Sequence, residues 1–312
     1  MNLSTTTRSP ITHLRYVAIA VPDYEPAVEF NRGVWGLAPI ADDRDVSFFA
    51  AQASPEQYIL RVRRAAEKRL DLIAFGAESA ASVDALAEQL IAAGVLIERE
   101  PAGLDSPGGG YGFRFFDPEG RLIEVSSDVA QRAARPLEPG ESIPQQLSHV
   151  VINSTDIMNT KAFYEQHLGF RLSDWLEDQM CFMRTRVDHH ILAIHSGPHV
   201  ALNHISFEMR GIDEYMRGSG RLIRHGNKPL WGPGRHGAGD NTFTYFLDPN
   251  GNVVEYTTEL EKIPEDGEWV PRRFEATAEA ADQWGTAGLI TDAMIPAMFN
   301  EPDKGLWTRS PI

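Results

Sequence analysis

Along most of this chain apolar and polar side chains alternate in short runs, the period that places neighbours on opposite faces of a strand. Turn residues separate the runs. Fewer stretches keep a helical period, the clearest in the first half being 82–93, with Val83, Leu86, Leu90 and Ile91 on one stripe. In the second half the pattern predicts a strand at 146–153, a helix at 158–167 and strands ending near Ile194. It then predicts a strand at 203–209, a helix near 212–225 and a strand pair across 242–258. A strand, a helix and short strands thus form a unit that each half of the chain carries twice.

The halves also resemble each other. Phe115-Phe116-Asp117-Pro118-Glu119-Gly120 running to Glu124 matches Phe246-Leu247-Asp248-Pro249-Asn250-Gly251 running to Glu255, 131 residues on. Tyr16 and His149, in similar runs near the start of each half, lie 133 apart. Two landmarks at nearly one offset argue for duplicated domains. Asp-Pro-x-Gly is turn chemistry, so its apolar flanks read as hairpin strands. A stretch rich in Pro, Glu and Gly at 132–142 divides the halves. The expected organisation is a first domain at 1–135, a linker at 136–145, a second domain at 146–260, and a tail at 261–312 wrapping its own domain or a neighbouring subunit.

Composition narrows the function classes. With 42% hydrophobic residues the chain can fill two sizeable cores without a staple. A net charge of −15 with no basic run argues against nucleic acid as a partner. The lone Cys181 excludes an internal disulfide and any zinc site built on two thiolates. No apolar run suits a membrane span, and the opening MNLSTTTRSPITHLRY has no signal-like core, so a cytoplasmic protein is expected.

Histidine is confined almost wholly to one copy. Nine of the ten histidines fall from His149 onward. Where the second half has His149, His204 and Glu255, the first has Tyr16, Leu72 and Glu124, which cannot make the same metal site. Strand parity sets His149 with Val151 and Asn153, His204 with Ser206 and Glu208, and Glu255 with Val253 and Thr257, each on the more polar face. A single buried histidine is more often a satisfied core residue than a ligand. Two imidazoles and a carboxylate from three strands, however, suit a divalent ion with open coordination positions.

These residues resemble the type I extradiol ring-cleavage dioxygenases of the vicinal oxygen chelate superfamily, over about residues 10–260. The most specific stretch is Gly234-Arg235-His236-Gly237 followed by Tyr245 to Glu255: as in the family, a histidine stands nine residues before the tyrosine, which stands ten before the glutamate. His190, in His190-Ile191-Leu192-Ala193, stands fourteen before His204, the family spacing of its catalytic histidine. The resemblance implies an α+β fold of two tandem domains, each of two βαβββ modules forming an open eight-stranded barrel-like sheet around a cavity. It implies Fe(II), or Mn(II), on His149, His204 and Glu255, with O2 as co-substrate. His190 would be the acid–base residue, and His236 and Tyr245 partners of the substrate. His189 and His195 compete for the His190 role, but parity sets both on the opposite face. His167, His199 and His225 read as packing or surface residues, Glu208 as a wall carboxylate and Asp240 as a turn residue. Arg235 and Trp231 could shape the mouth. The implied substrate is a substituted monocyclic catechol, a trihydroxybenzene or a trihydroxytoluene-like triol, and the implied assembly a homo-oligomer such as a tetramer. The alternatives are a metal-dependent isomerase or lyase of the same superfamily, or a non-catalytic aromatic-binding protein. No nucleotide or flavin motif is present.

Overall fold

The computed structural model describes residues 8–265 and 267–310. The first half runs β1 (Ile11–Val21), α1 (Tyr24–Phe30), β2 (Ala38–Asp43), β3 (Val46–Ala50) and β4 (Leu60–Arg64), then β5 (Arg69–Ala77), α2 (Ala80–Ala92), β6 (Ile97–Gly103), β7 (Tyr111–Phe116) and β8 (Leu122–Ser127). The second half repeats it: β9 (Gln146–Ser154), α3 (Ile157–Leu168), β10 (Arg171–Leu176), β11 (Met180–Arg184) and β12 (Leu192–Ser196), then β13 (Ala201–Glu208), α4 (Ile212–Arg224), β14 (Trp231–Arg235), β15 (Thr242–Leu247) and β16 (Val253–Thr258). Four βαβββ modules result. Within each half the lead strands pair antiparallel, β1 with β5 and β9 with β13, so the modules join at the middle of one mixed sheet.

The first sheet has eight strands and the second nine, where eight were expected. The extra one, β17 (Arg272–Phe274), comes from the tail and adds in parallel to β10. The tail then runs back over its own chain. Trp231 donates to the Gly288 carbonyl, Asn153 donates to those of Met298 and Phe299, and Trp307 packs on Phe116 of the first half.

Local signals explain the helix ends. Ser79 caps α2 by accepting from the Ser82 N–H, and Asp156 caps α3 by accepting from Asn159. Gly169, with φ 68°, closes α3 in the left-handed region. On α2 the buried stripe is Val83, Leu86, Ala87 and Leu90. Ile91, expected on it, is 53% exposed because one residue past Leu90 turns the side chain about 100° round the helix.

The main apolar cluster runs through both halves, from Val17, Ile73 and Phe113 to Val150, Ile205 and Phe246. Trp35 sits at the junction, fully buried, stacked 4.0 Å from Tyr256 and edge-on to Phe207. A buried aromatic of this size is worth about 3–5 kcal/mol against Ala. The two Asp-Pro-x-Gly turns add a reciprocal clasp. Each aspartate accepts from the backbone N–H groups two and four residues on, and Gly120 and Gly251 supply the positive φ. Glu119 of the first turn then accepts from Thr155 at 2.7 Å, while Asn250 of the second accepts from Asp23 at 2.8 Å.

Bulges recur at equivalent places. Register shifts fall between Leu14 and Tyr16 on β1 and between Leu147 and His149 on β9, beside positions that matter in each half. In the first half the equivalent polar cluster is closed on itself. Tyr16 donates to Glu124 at 3.2 Å, and Arg114 Nε donates to its other oxygen at 2.9 Å. Arg114 faces Glu124 across strands as Tyr245 faces Glu255, so a guanidinium neutralises the carboxylate where the second half has a phenol.

Candidate metal centre

His149 on β9, His204 on β13 and Glu255 on β16 come from three adjacent strands, and their donor atoms lie within 4.8 Å of one another. All three side chains are buried. His149 Nε2 is 3.1 Å and His204 Nε2 3.6 Å from Glu255 Oε2. His204 Nε2 and both Glu255 oxygens are buried without a hydrogen-bond partner. Orphaned buried groups of this kind are costly. Two nitrogens and a carboxylate converging on one point are the donor set of a divalent cation, and the residues fit it.

The histidines are oriented from behind. His204 Nδ1 is 2.7 Å from Asn203 Oδ1, so it carries the hydrogen and leaves the Nε2 lone pair for a metal. Asn203 donates in turn to Asn153 Oδ1 at 2.9 Å, and Asn153 is pinned by the tail carbonyls. His149 Nδ1 lies 3.0 Å from Ser148 Oγ. Burial, opposed by Glu255, pushes His204 down to about 3, so no proton competes for its lone pair at neutral pH. Burial would raise the Glu255 carboxyl, but His149, His204 and His236 outweigh it and hold it below the usual range.

The other predicted residues gather round this centre. The His190 ring packs 4.3 Å from that of His149, the His204 ring 5.0 Å from that of Tyr245. Tyr245 donates to His236 Nε2 at 3.1 Å, because His236 Nδ1 donates to the Ala281 carbonyl at 3.0 Å. Five rings therefore line the site in an arc: His190, His149, His204, Tyr245 and His236. His190 is held well below its ordinary value, by burial first and by the neighbouring histidines next, and is neutral. Apolar walls flank the arc, with Phe182, Ala238 and Phe274 on one side and Trp231 and Phe243 on the other. His236 stacks on Phe243 at 4.0 Å and Trp231 on Tyr245 at 5.6 Å.

Two parity assignments need correction. His189 and His190 lie in a bend before β12, where alternation does not apply, and His189 bonds directly to His190. His195 pairs across from Asn153 and so shares the face of Ala193 and Val151, the cavity face, where it meets Phe299 of the tail. His199 holds the Asn300 carbonyl, His225 ends α4, and Glu208 binds Gln145 and Gln146. Arg235 is engaged by Asp240 and Glu259. Sequence reading missed Asn203, Asn153, Ser148 and Asp174. The paired histidines at 189 and 190 were the one available signal for the last.

A family model described as Glyoxalase/Bleomycin resistance protein/Dioxygenase superfamily matches residues 13–125 and 146–256. The Mn(II)-bound glyoxalase from Novosphingobium aromaticivorans is 42% identical and superposes with a TM-score of 0.92, covering 97% of this chain and 99% of its own. Metapyrocatechase 2 from Cupriavidus necator is 28% identical, with 89% of this chain and 90% of its own covered. An iron-dependent extradiol dioxygenase from Rhodococcus jostii is 26% identical, with 88% and 96% covered.

Proposed function

The chain belongs to the glyoxalase/bleomycin resistance protein/dioxygenase superfamily, and from that premise we propose that it is an extradiol dioxygenase that opens a catechol-type ring and places both atoms of O2 in the product. The observation that carries this reading is the arc of five rings around Glu255. A site needing only a Lewis acid requires the three ligands; ring cleavage also needs a proton carrier and polar groups that hold two oxygens. His149, His204 and Glu255 would hold the metal, Fe(II) in this reading and Mn(II) in its alternative. Bound there, the metal would supply Lewis acidity and a meeting place for electron transfer between ring and O2.

The chain's own groups do the rest. Neutral His190 accepts a proton from a substrate hydroxyl and returns it to the oxygen that must leave its partner. Tyr245 and His236 hold the opposite side of the substrate, the phenol fixed by the imidazole that accepts its hydrogen. The uncharged walls support a single-ring catechol or triol with an apolar substituent. O2 uptake by anaerobically Fe(II)-loaded protein with a panel of such catechols tests the proposal; no uptake with any of them removes it.

The Mn(II)-bound glyoxalase likeness favours a second reading, a metal-dependent isomerase or lyase. It predicts turnover of a hemithioacetal without O2, measurable on the same protein.

Two further outcomes follow from the proposal. Glu124→Gln should leave metal content unchanged while lowering thermal stability, since it weakens a buried pair whose partner stays charged. Metal analysis beside a melting curve checks this, and loss of metal from a folded variant would end the one-site reading. We also propose a homo-oligomer, a tetramer in this reading, supported by exposed Met216 and Ile223 on α4 and Leu289 on the tail. Light scattering on active protein should give a multiple of 34.7 kDa; a single-chain mass would refute it.

A further inference from the structure

His189 and Asp174 do not belong to the arc of rings, yet both are completely buried. His189 Nε2 lies 2.8 Å from Asp174 Oδ2, and His189 Nδ1 lies 2.9 Å from His190 Nδ1. Two imidazole nitrogens facing at this distance share one hydrogen between them, and the far end of the chain decides which carries it. Asp174 accepts from the Arg272 backbone N–H at 2.7 Å and from its Nε and Nη2 at 3.0 and 2.6 Å. Burial would raise this carboxyl, but the hydrogen bonds from His189 and Arg272 keep it below the usual range. An ionised carboxylate only accepts, so His189 keeps its hydrogen on Nε2 and presents a lone pair at Nδ1. His190 then carries its hydrogen on Nδ1, and its Nε2 lone pair is bare at the opposite edge of the ring.

The arrangement is built from several directions. The Arg272 guanidinium lies 4.7 Å over Trp269, whose ring is 6.2 Å from that of His189. The His189 N–H donates to the Glu261 carbonyl at 2.9 Å, and its own carbonyl accepts from Ser173. Asp174, His189 and Glu261 could in principle ligate a cation. Arg272, bonded to both carboxylates, already fills that place.

We infer that His189 is a positioning residue: anchored by Asp174, it holds His190 in the tautomer whose Nε2 accepts a proton from bound substrate. What the proton serves rests on the ring-cleavage reading; the tautomer does not. The test uses metal-free protein labelled with 15N-histidine, its ring nitrogens read in long-range 1H–15N spectra at neutral pH. The His190 signals, identified by their loss in His190→Asn, should show a protonated Nδ1 and a bare Nε2. His189→Phe should move that hydrogen wholly or partly to Nε2. In the metal-loaded enzyme it should lower kcat on the order of 10–100-fold, the usual cost of losing a partner that orients a ring, with metal content kept and KM changed by about twofold or less. His189→Gln, whose amide can donate to Asp174 and accept from His190, should restore the tautomer and most of kcat; it carries the test if the Phe variant does not fold. Protonated Nε2 on His190 in the native chain, an unchanged tautomer in His189→Phe, or a Gln variant as slow as His190→Asn would each overturn the inference. A native chain with the expected tautomer and no activity on any catechol removes the ring-cleavage reading and leaves the pairing intact.

Discussion

His204→Ala is expected to yield a folded protein nearly free of bound metal. The change removes one of only two imidazole donors, and the one that burial keeps unprotonated at neutral pH. His149 and Glu255 remain, but two donors do not hold a divalent ion as three do. Losing a group that merely orients a ligand costs about 10–100-fold in metal affinity, and losing the ligand itself should cost more. Folding should survive. The truncation strands the Asn203 oxygen at a cost of about 1–3 kcal/mol, within the stability of a domain, and the shared apolar core lies on the other face of the sheet. Metal analysis on dialysed protein, read beside its melting curve, checks both halves of the statement. A full equivalent of metal in this variant would end the assignment of the centre.

His190→Asn should do the reverse: metal and substrate stay, and turnover collapses by a factor on the order of 10²–10⁴, the usual worth of a positioned acid–base group. Asn keeps a polar group beside His149 but offers no nitrogen that can take a proton. Single-turnover rates at saturating substrate, with metal content measured on the same sample, isolate the chemical step. His189 variants should fall between this and the native enzyme, because His189 acts through His190 and touches no reacting atom. A variant with native rate and full metal would move the proton carrier elsewhere in the arc.

Much of this site could be read from the order of residues, and the reason is physical. A duplicated hairpin turn leaves the same short motif wherever it occurs, and strands set their side chains at a fixed period. His149, His204 and Glu255 could therefore be placed on faces before any contact was known. Parity failed where the chain leaves the strand, as at His189, and where the face was wrongly chosen, as at His195. The groups behind the site were illegible for another reason. Asp174 meets Arg272 across 98 residues, and Asn153 meets Met298 across 145. In each pair one member comes from a tail without periodicity, and only tertiary packing brings the two together. The ninth strand was invisible on the same ground, three residues long and paired with a distant edge.

The Arg114–Glu124 pair sets the terms on which the first half could ever gain a metal. Three positions differ from the working copy: Tyr16, Leu72 and Arg114 stand where His149, His204 and Tyr245 stand in the second half. Losing Arg114 first strands a buried carboxylate, at a cost of about 3–5 kcal/mol out of the 5–15 that keep a domain folded. Installing a histidine first brings a ligand to a carboxylate that a guanidinium already holds. Selection acting one substitution at a time therefore meets either that cost or a step with no gain. The asymmetry of the two halves, once established, is an evolutionary ratchet.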